Sequence, residues 1–410
     1  MCDQGISSKK TLRFMPMQVG YIANCIEPFN IVSDTKWTDD WKFSGKDTDV
    51  IPFTRHGVIL GIVKREDAGK LHGSFLSRIL GKKDISSLLM PVKEFIDASS
   101  YINTVVERGL KTSRWDDPAW YVVEHKKKYF GIVNLRQMME YLDGIRARDL
   151  LRAGEIQKNL LIQPVMCDPR LVLLTYNRMA YEVGGDWYKT LQINKDLYLI
   201  GCFDVAGKNV SGSLVTMSLG TCFATLGLIS YEENNPEKTT SLLNALIRTV
   251  SPPDVFVAAV LLYIDFSRMA IEIHNCGLSP VVVFFPMDEK RIGYKTFAPN
   301  LPPLGLEEEI KPDPPQKISI AKGLRVAVHS DGLMDMCDIH GERYGEERVL
   351  EFLQNLHYID GEGFTAFVNR ELDLWAKDTA LADDVTLLDM RFTPAAFARM
   401  KTEPEFPVLR

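Results

Sequence analysis

Four acidic positions share one kind of surrounding: Asp186 in Val183-Gly184-Gly185-Asp186-Trp187-Tyr188, Asp204 in Phe203-Asp204-Val205-Ala206-Gly207, Asp331 in His329-Ser330-Asp331-Gly332, and the pair Asp383-Asp384 ahead of Val385-Thr386. Each stands at the start or end of an apolar, strand-like run, beside a residue that permits a tight turn. Strand ends are where side chains from distant segments can meet. Carboxylates gathered there repel one another unless a cation lies between them, and oxygen donors with no His or Cys nearby suit Mg2+ or Mn2+ rather than zinc. Two such ions can generate hydroxide from bound water near neutral pH and clamp phosphoryl oxygens during in-line attack. Any one of these residues would serve as a turn or cap residue; the set points to chemistry.

Other reactive residues lack such company. His274 and His329 sit inside apolar strand patterns and read as core histidines, so no general acid is assigned. Gly207-Lys208-Asn209 lacks the spacing of a nucleotide-binding P-loop, and no Gly-x-Ser-x-Gly or cysteine nucleophile signature appears. The seven cysteines include no Cys-x-x-Cys pair and read as small buried residues of a reducing compartment. Hydroxide from metal-bound water is left as the nucleophile.

The elements that must position these acids alternate between strand-like and helical runs beyond Pro164. The strands are expected at Leu171–Met179, Thr190–Ile193, Leu197–Phe203, Val257–Ile264, Ala270–Asn275, Val281–Phe285, Leu324–His329 and Val385–Phe392. Helices are expected at Ser211–Ile229, Thr239–Val250, Glu346–Leu356 and Gly363–Lys377. Asn194-Lys195-Asp196 and Phe266-Ser267-Arg268 are short enough for hairpin turns, which favours antiparallel sheets flanked by helices, an α+β class, over a doubly wound parallel sheet.

The order of motifs resembles the SpoIIE-like branch of the metal-dependent protein phosphatase (PPM) family. The matching residues are Ala153-Gly154-Glu155-Ile156-Gln157-Lys158-Asn159-Leu160-Leu161, Gly184-Gly185-Asp186, Asp204-Val205-Ala206-Gly207-Lys208 and Asn275-Cys276-Gly277-Leu278-Ser279-Pro280. They continue with Leu304-Gly305-Leu306, Ser330-Asp331-Gly332-Leu333, Tyr344-Gly345 and Asp383-Asp384-Val385-Thr386. The resemblance implies a central β-sandwich with a two-metal site at one end. In it Asp204 bridges both ions with help from the Val205 carbonyl, Asp331 and Asp383 hold the first ion, and Asp186 joins through the metal or its waters. Asp384 replaces Asp383 if the register of the last motif is off by one. It implies a protein-serine/threonine phosphatase with Asp204 and Asp331 as catalytic residues, acting on a phosphorylated partner protein, an anti-sigma-factor antagonist by analogy. This chain departs from the family pattern at Lys189, where a second acid is frequent, at Ser211-Gly212-Ser213, and at Leu278, where His is common.

The N-terminal third contains a repeat. Gly61-Ile62-Val63 returns as Gly131-Ile132-Val133, seventy residues on, each copy preceded by a β-rich run (Asp49–Thr54, Ala119–Glu124) and followed by a helical pattern. This resembles a tandem pair of CBS (cystathionine-β-synthase-type) modules, with Phe95–Ile102 and Val105–Gly109 as the opening helix of the second. The resemblance implies an adenine nucleotide at Asp67, although Gln137 takes the equivalent place in the second copy, and association as a homodimer. From Met138 to Leu161 apolar residues recur at helical spacing, which predicts either a transmitting connector or a helix packed on its own domain; Gly144 and Gly154 weaken a free-standing coil.

A chain of 410 residues exceeds one usual core. The domains are expected at 1–140 (CBS-like, α/β), 141–163 (helical linker), 164–395 (phosphatase) and 396–410 (tail). The net charge of -6 argues against a nucleic-acid partner. The longest apolar run, Val255–Ile264, is half a membrane span, and the N-terminus carries no signal-peptide pattern, so a cytoplasmic location with no membrane association is expected. The competing function is a pseudophosphatase or nucleotide-sensing module that binds without turnover, which Lys189 favours.

Overall fold

The seventy-residue period of the sequence is also a period of backbone structure. The computed structural model describes residues 14–24, 29–30, 49–55, 58–67, 89–90, 92, 94–112, 120–161, 168–207, 210–227, 235–288, 291–310, 316–377 and 379–398. Strands β2 (Val50–Arg55) and β3 (Val58–Lys64) pair antiparallel, and β5 (Trp120–His125) and β6 (Lys128–Asn134) repeat the pairing seventy residues later. The register irregularity recurs at the equivalent place, Phe53/Thr54 and Val123/Glu124. A short strand lies parallel to the first of each pair: β1 (Phe29–Asn30) beside β2, and β4 (Phe95–Asp97) beside β5. Val50, Ile62, Trp120, Val122 and Ile132 form one apolar cluster drawn from both sheets.

Phe95–Asp97 was expected to open a helix and is instead a strand. Its exposure alternates, with only Ile96 buried, which is the period of a strand. The Asp97 carboxylate then accepts from the Ser99 amide and turns the chain, so the helix begins at Ile102 and runs to Thr112.

The next helix starts directly after β6 and runs from Leu135 to Leu161. Its first turn is closed reciprocally: Asn134 Oδ1 accepts from the Gln137 amide at 2.7 Å, and Gln137 Oε1 accepts from the Asn134 amide at 3.1 Å. This is a capping box, and it gives Gln137 a structural task where Asp67 stands in the first copy. By compactness the chain divides within this helix into units Met1–Arg148 and Asp149–Arg410.

The second unit follows from strands that are apolar on both faces. In β9 (Leu197–Val205), Tyr198, Ile200 and Cys202 enter one apolar cluster, and Leu197, Leu199, Phe203 and Val205 enter another. Such a strand must be covered on both sides. One antiparallel sheet has the order β14-β11-β10-β9-β8, where β8 is Trp187–Gln192, β10 Val257–Asp265, β11 Ala270–Cys276 and β14 Gln316–Ser319. The other has the order β13-β12-β15-β16-β7, where β7 is Leu171–Arg178, β12 Val281–Pro286, β13 Ile292–Phe297, β15 Arg325–His329 and β16 Val385–Phe392.

The central core lies between the sheets, with Ile200, Val260 and Ile273 on one side and Val283, Val326 and Leu388 on the other. Helices Val210–Leu226 and Pro236–Val250 cover the first sheet through Val215, Leu219, Phe223, Leu243 and Ile247. Helices Gly345–Asn355 and Phe364–Ala376 cover the second through Val349, Phe352, Val368 and Leu372. The result is the α+β sandwich expected for this part of the chain. Strands β13 and β14 were not foreseen: both lie at sheet edges, and Ile292-Gly293-Tyr294-Lys295-Thr296-Phe297 and Gln316-Lys317-Ile318-Ser319 carry too few apolar residues to announce themselves. Among the described residues, no helix is long and apolar enough to cross a membrane.

Candidate active site

Strand register brings the acids together. Trp187 pairs with Phe203 across β8 and β9, so Asp186 and Asp204 stand side by side one residue further on. In the opposite sheet His329 pairs with Leu387, and the Ser330 amide donates to the Thr386 carbonyl, so Asp331 leaves β15 beside Asp383 and Asp384, which lead into β16. A cleft of about 360 Å3 at this end of the sandwich is lined by Asp204, Val205, Asp331, Asp383 and Asp384, with Gly185 and Gly277 among its walls. Asp186 lies beneath it, 2% exposed.

These carboxylates are held where ionisation is costly. Burial, and then Asp204, pushes the Asp186 carboxyl well above the usual range, and its Oδ2 has no hydrogen-bond partner among the described residues. Burial, and then the neighbouring Asp331, pushes Asp204 up to about 8. The two effects have one origin, the crowding of like charges away from water.

Asp384 is different in kind. Its Oδ1 accepts from the Ala180 amide at 2.8 Å, and its Oδ2 accepts from the Gly185 amide at 2.8 Å and the Asp186 amide at 3.3 Å. A Cβ on Gly184 would stand 2.2 Å from Asp384 Oδ2, so only glycine admits this approach. Asp384 therefore organises the backbone that carries Asp186. Asp383 is half-buried and accepts from the Asp384 amide at 2.9 Å.

The all-oxygen donor set, the unpartnered buried oxygen of Asp186 and the mutual repulsion of Asp186 and Asp204 fit a hard divalent cation. Among the described residues, no three potential ligands already stand close enough to enclose an ion. Ion binding would have to draw the carboxylates inward by side-chain rotation.

The remaining sequence candidates fall away from the cleft. His274 is buried beside Glu272 at 2.9 Å, and His329 is buried with Nδ1 2.9 Å from the Ser330 carbonyl; burial holds its basicity down. Leu278 belongs to the central core. Lys189 pairs with Gly201 along β8, and burial lowers its pKa. Asn275 accepts from the Leu278 amide and donates to the Ser279 carbonyl, shaping the turn that presents Gly277 at φ 80° to the cleft. Asp67 follows β3 and is half-buried. Lys208 and Asn209 lie outside the described residues. Sequence reading missed Tyr181 and Phe256 in the cleft wall; as isolated aromatics in loops they carried no periodic signal.

The sequence model of the family described as Stage II sporulation protein E (SpoIIE) matches residues 194–393. This part of the unit is similar to a SpoIIE-type phosphatase domain. The chain is similar to the phosphoserine phosphatase RsbP of Bacillus subtilis (strain 168), with 29% identity over 195 residues, covering 46% of this chain and 45% of RsbP. It thus spans about half the length of that relative. The SiaA-PP2C domain of Pseudomonas aeruginosa shares the fold of this unit, at a TM-score of 0.51 and 20% identity, covering 62% of this chain and 99% of that one.

Proposed function

We propose that the unit Asp149–Arg410 is a metal-dependent protein-serine/threonine phosphatase that removes phosphate from a regulatory partner protein in the cytoplasm. The observation that carries this is the convergence of Asp186, Asp204, Asp331 and Asp383 from both sheets, with a buried Asp186 oxygen that has no hydrogen-bond partner among the described residues. Asp204 would be shared between two ions with the Val205 carbonyl, Asp331 and Asp383 would hold one of them, and Asp186 would complete the set. Mn2+ or Mg2+ bound there would activate water and neutralise charge on the phosphoryl oxygens. The protein's own part is positional. Asp384 fixes the Gly185 and Asp186 amides, and Tyr181 and Phe256 form part of the cleft wall.

The name of RsbP supports phosphoserine as a substrate, and an anti-sigma-factor antagonist is the partner we favour by family analogy. Hydrolysis of p-nitrophenyl phosphate and of a phosphoserine protein, each with and without Mn2+, tests the reading; Lys189 leaves binding without turnover as the alternative, which predicts Mn2+ binding but no phosphate release.

The two copies of one sheet topology support a CBS-like pair in the unit Met1–Arg148, acting as a regulator within a homodimer and taking an adenine nucleotide near Asp67. AMP, ADP or ATP is expected to raise the melting temperature, because a ligand at a hundred times its Kd stabilises by about 2.7 kcal/mol. Asp67→Ala is expected to remove the shift. An unchanged melting temperature with all three would reject nucleotide sensing, and a strict monomer in light scattering would reject the dimer.

A further inference from the structure

Tyr181, in the loop between β7 and β8, belongs to two hollows of the second unit. It lines the acid cleft of about 360 Å3, and it also lines a larger groove of about 1010 Å3. That groove is walled by Leu151, Met179 and Tyr188, with Lys158 and Glu182 among its polar residues. Tyr181 is 47% exposed and Leu151 58%. An aromatic ring left open between two hollows offers a large apolar area for a bound chain to cover.

The cleft keeps its charge and its apolar surface apart. The charge is that of Asp204, Asp331, Asp383 and Asp384, and among the described residues no Lys, Arg or His lines the cleft. Its other walls are uncharged; one is the exposed Phe256, whose carbonyl accepts from the Ala206 amide at 2.9 Å and so stays beside the acids. The ions proposed above would answer one phosphate. A further negative group on the substrate meets carboxylates and apolar walls, which disfavours it. Beyond the phosphate, what the protein itself offers a substrate is apolar area.

We infer that Tyr181 is a specificity-determining residue: it packs against an apolar side chain that lies one or two residues from the phosphoserine in the substrate's chain. The phosphoserine enters the acid cleft, and that neighbour crosses Tyr181 into the larger groove. The occupant follows from continuity, because the two hollows share Tyr181 and consecutive Cα atoms lie only about 3.8 Å apart. The substrate class is thus a phosphoserine flanked by apolar residues within a polypeptide. Free phosphoserine, which has no neighbour to place in the groove, and phosphoserine among acidic residues are poor substrates. This rests on the phosphatase reading above and deepens it.

The test is kcat and KM of the full chain with Mn2+ on free phosphoserine and on three otherwise identical phosphoserine peptides, with Leu, Ser or Glu at the two positions on either side. The Leu peptide is expected to exceed the Ser peptide by about tenfold or more in kcat/KM, the lower end of what one apolar contact contributes to discrimination. It should exceed the Glu peptide and free phosphoserine by more. Tyr181→Ser is expected to bring the Leu and Ser peptides within about twofold of each other, by raising KM for the Leu peptide. Tyr181→Phe, which keeps the ring, should retain the parental ratio. Equal kcat/KM for the Leu and Ser peptides, a preference for Glu, or a Leu preference that Tyr181→Ser leaves intact would overturn the inference and leave the phosphatase reading standing. An equal fall on every substrate in Tyr181→Ser would overturn it too, by making Tyr181 a residue of the fold. A parent that releases phosphate from none of the four overturns both.

Discussion

Asp204→Asn is expected to lower kcat by at least about 10³-fold at saturating Mn2+, while making the metal-free protein more stable at alkaline pH. The loss of rate follows from position: one preorganised electrostatic group in such a site is worth on the order of 10²–10³, and Asp204 is the carboxylate proposed to serve both ions. The gain in stability follows from proton linkage. In the metal-free fold Asp204 is held at about 8, by burial first and Asp331 second, against an ordinary value of 3.8. The folded state therefore grips the proton more tightly than the unfolded chain does. The associated stability is complete below about pH 4 and is lost as the pH rises through about 8.

Asparagine has no proton to lose at this position, so the variant should lack that part of the decline. After allowance for solvent screening, roughly 1–3 kcal/mol at pH 9 is a realistic difference, or about 2–4 °C per kcal/mol for a domain of this size. Melting curves between pH 5 and pH 9 in the presence of a chelator, with turnover measured in parallel, check both halves. Parental turnover would remove Asp204 from the site, and parallel pH slopes would remove the charge-crowding account.

The adjacent acids Asp383 and Asp384 should fail in opposite ways. Asp384→Ala takes the acceptor from three backbone amides, those of Ala180, Gly185 and Asp186. A buried donor left unsatisfied costs about 1–3 kcal/mol, so a total of at least about 3 kcal/mol is expected, or a fall of roughly 6–12 °C. Asp383→Ala, at a half-buried residue that lines the cleft and leaves to Asp384 the three amides that Asp384 holds, should melt closer to the parent than Asp384→Ala does, yet release almost no phosphate. Melting temperature and turnover of the two variants, measured side by side, decide this division of labour. Two variants with the same profile would contradict it.

That division shows where sequence reading stopped. The sandwich was readable because β9, β10, β12 and β16 are long apolar runs, and each acid could be found because it interrupts such a run at its end. Edge strands β13 and β14 escaped, being polar enough to pass for loops. The sequence also left Asp383 and Asp384 as alternatives. Which of two adjacent carboxylates accepts from backbone amides depends on the loop from Ala180 to Asp186, some two hundred residues away in the chain. Gln157 stood in a recognised motif with no task attached, because its partner is a peptide group rather than a side chain. In the first unit, alternation in Phe95-Ile96-Asp97 was too short to outweigh the helical pattern beyond it.

The most direct test of the account is phosphate release from a phosphoserine protein by the full chain, titrated with Mn2+ and repeated with Asp331→Asn. The account predicts release that rises saturably with Mn2+, vanishes with chelator, and falls by about 10³-fold in the variant. Release that persists in chelator, or that Asp331→Asn leaves at the parental rate, would contradict it.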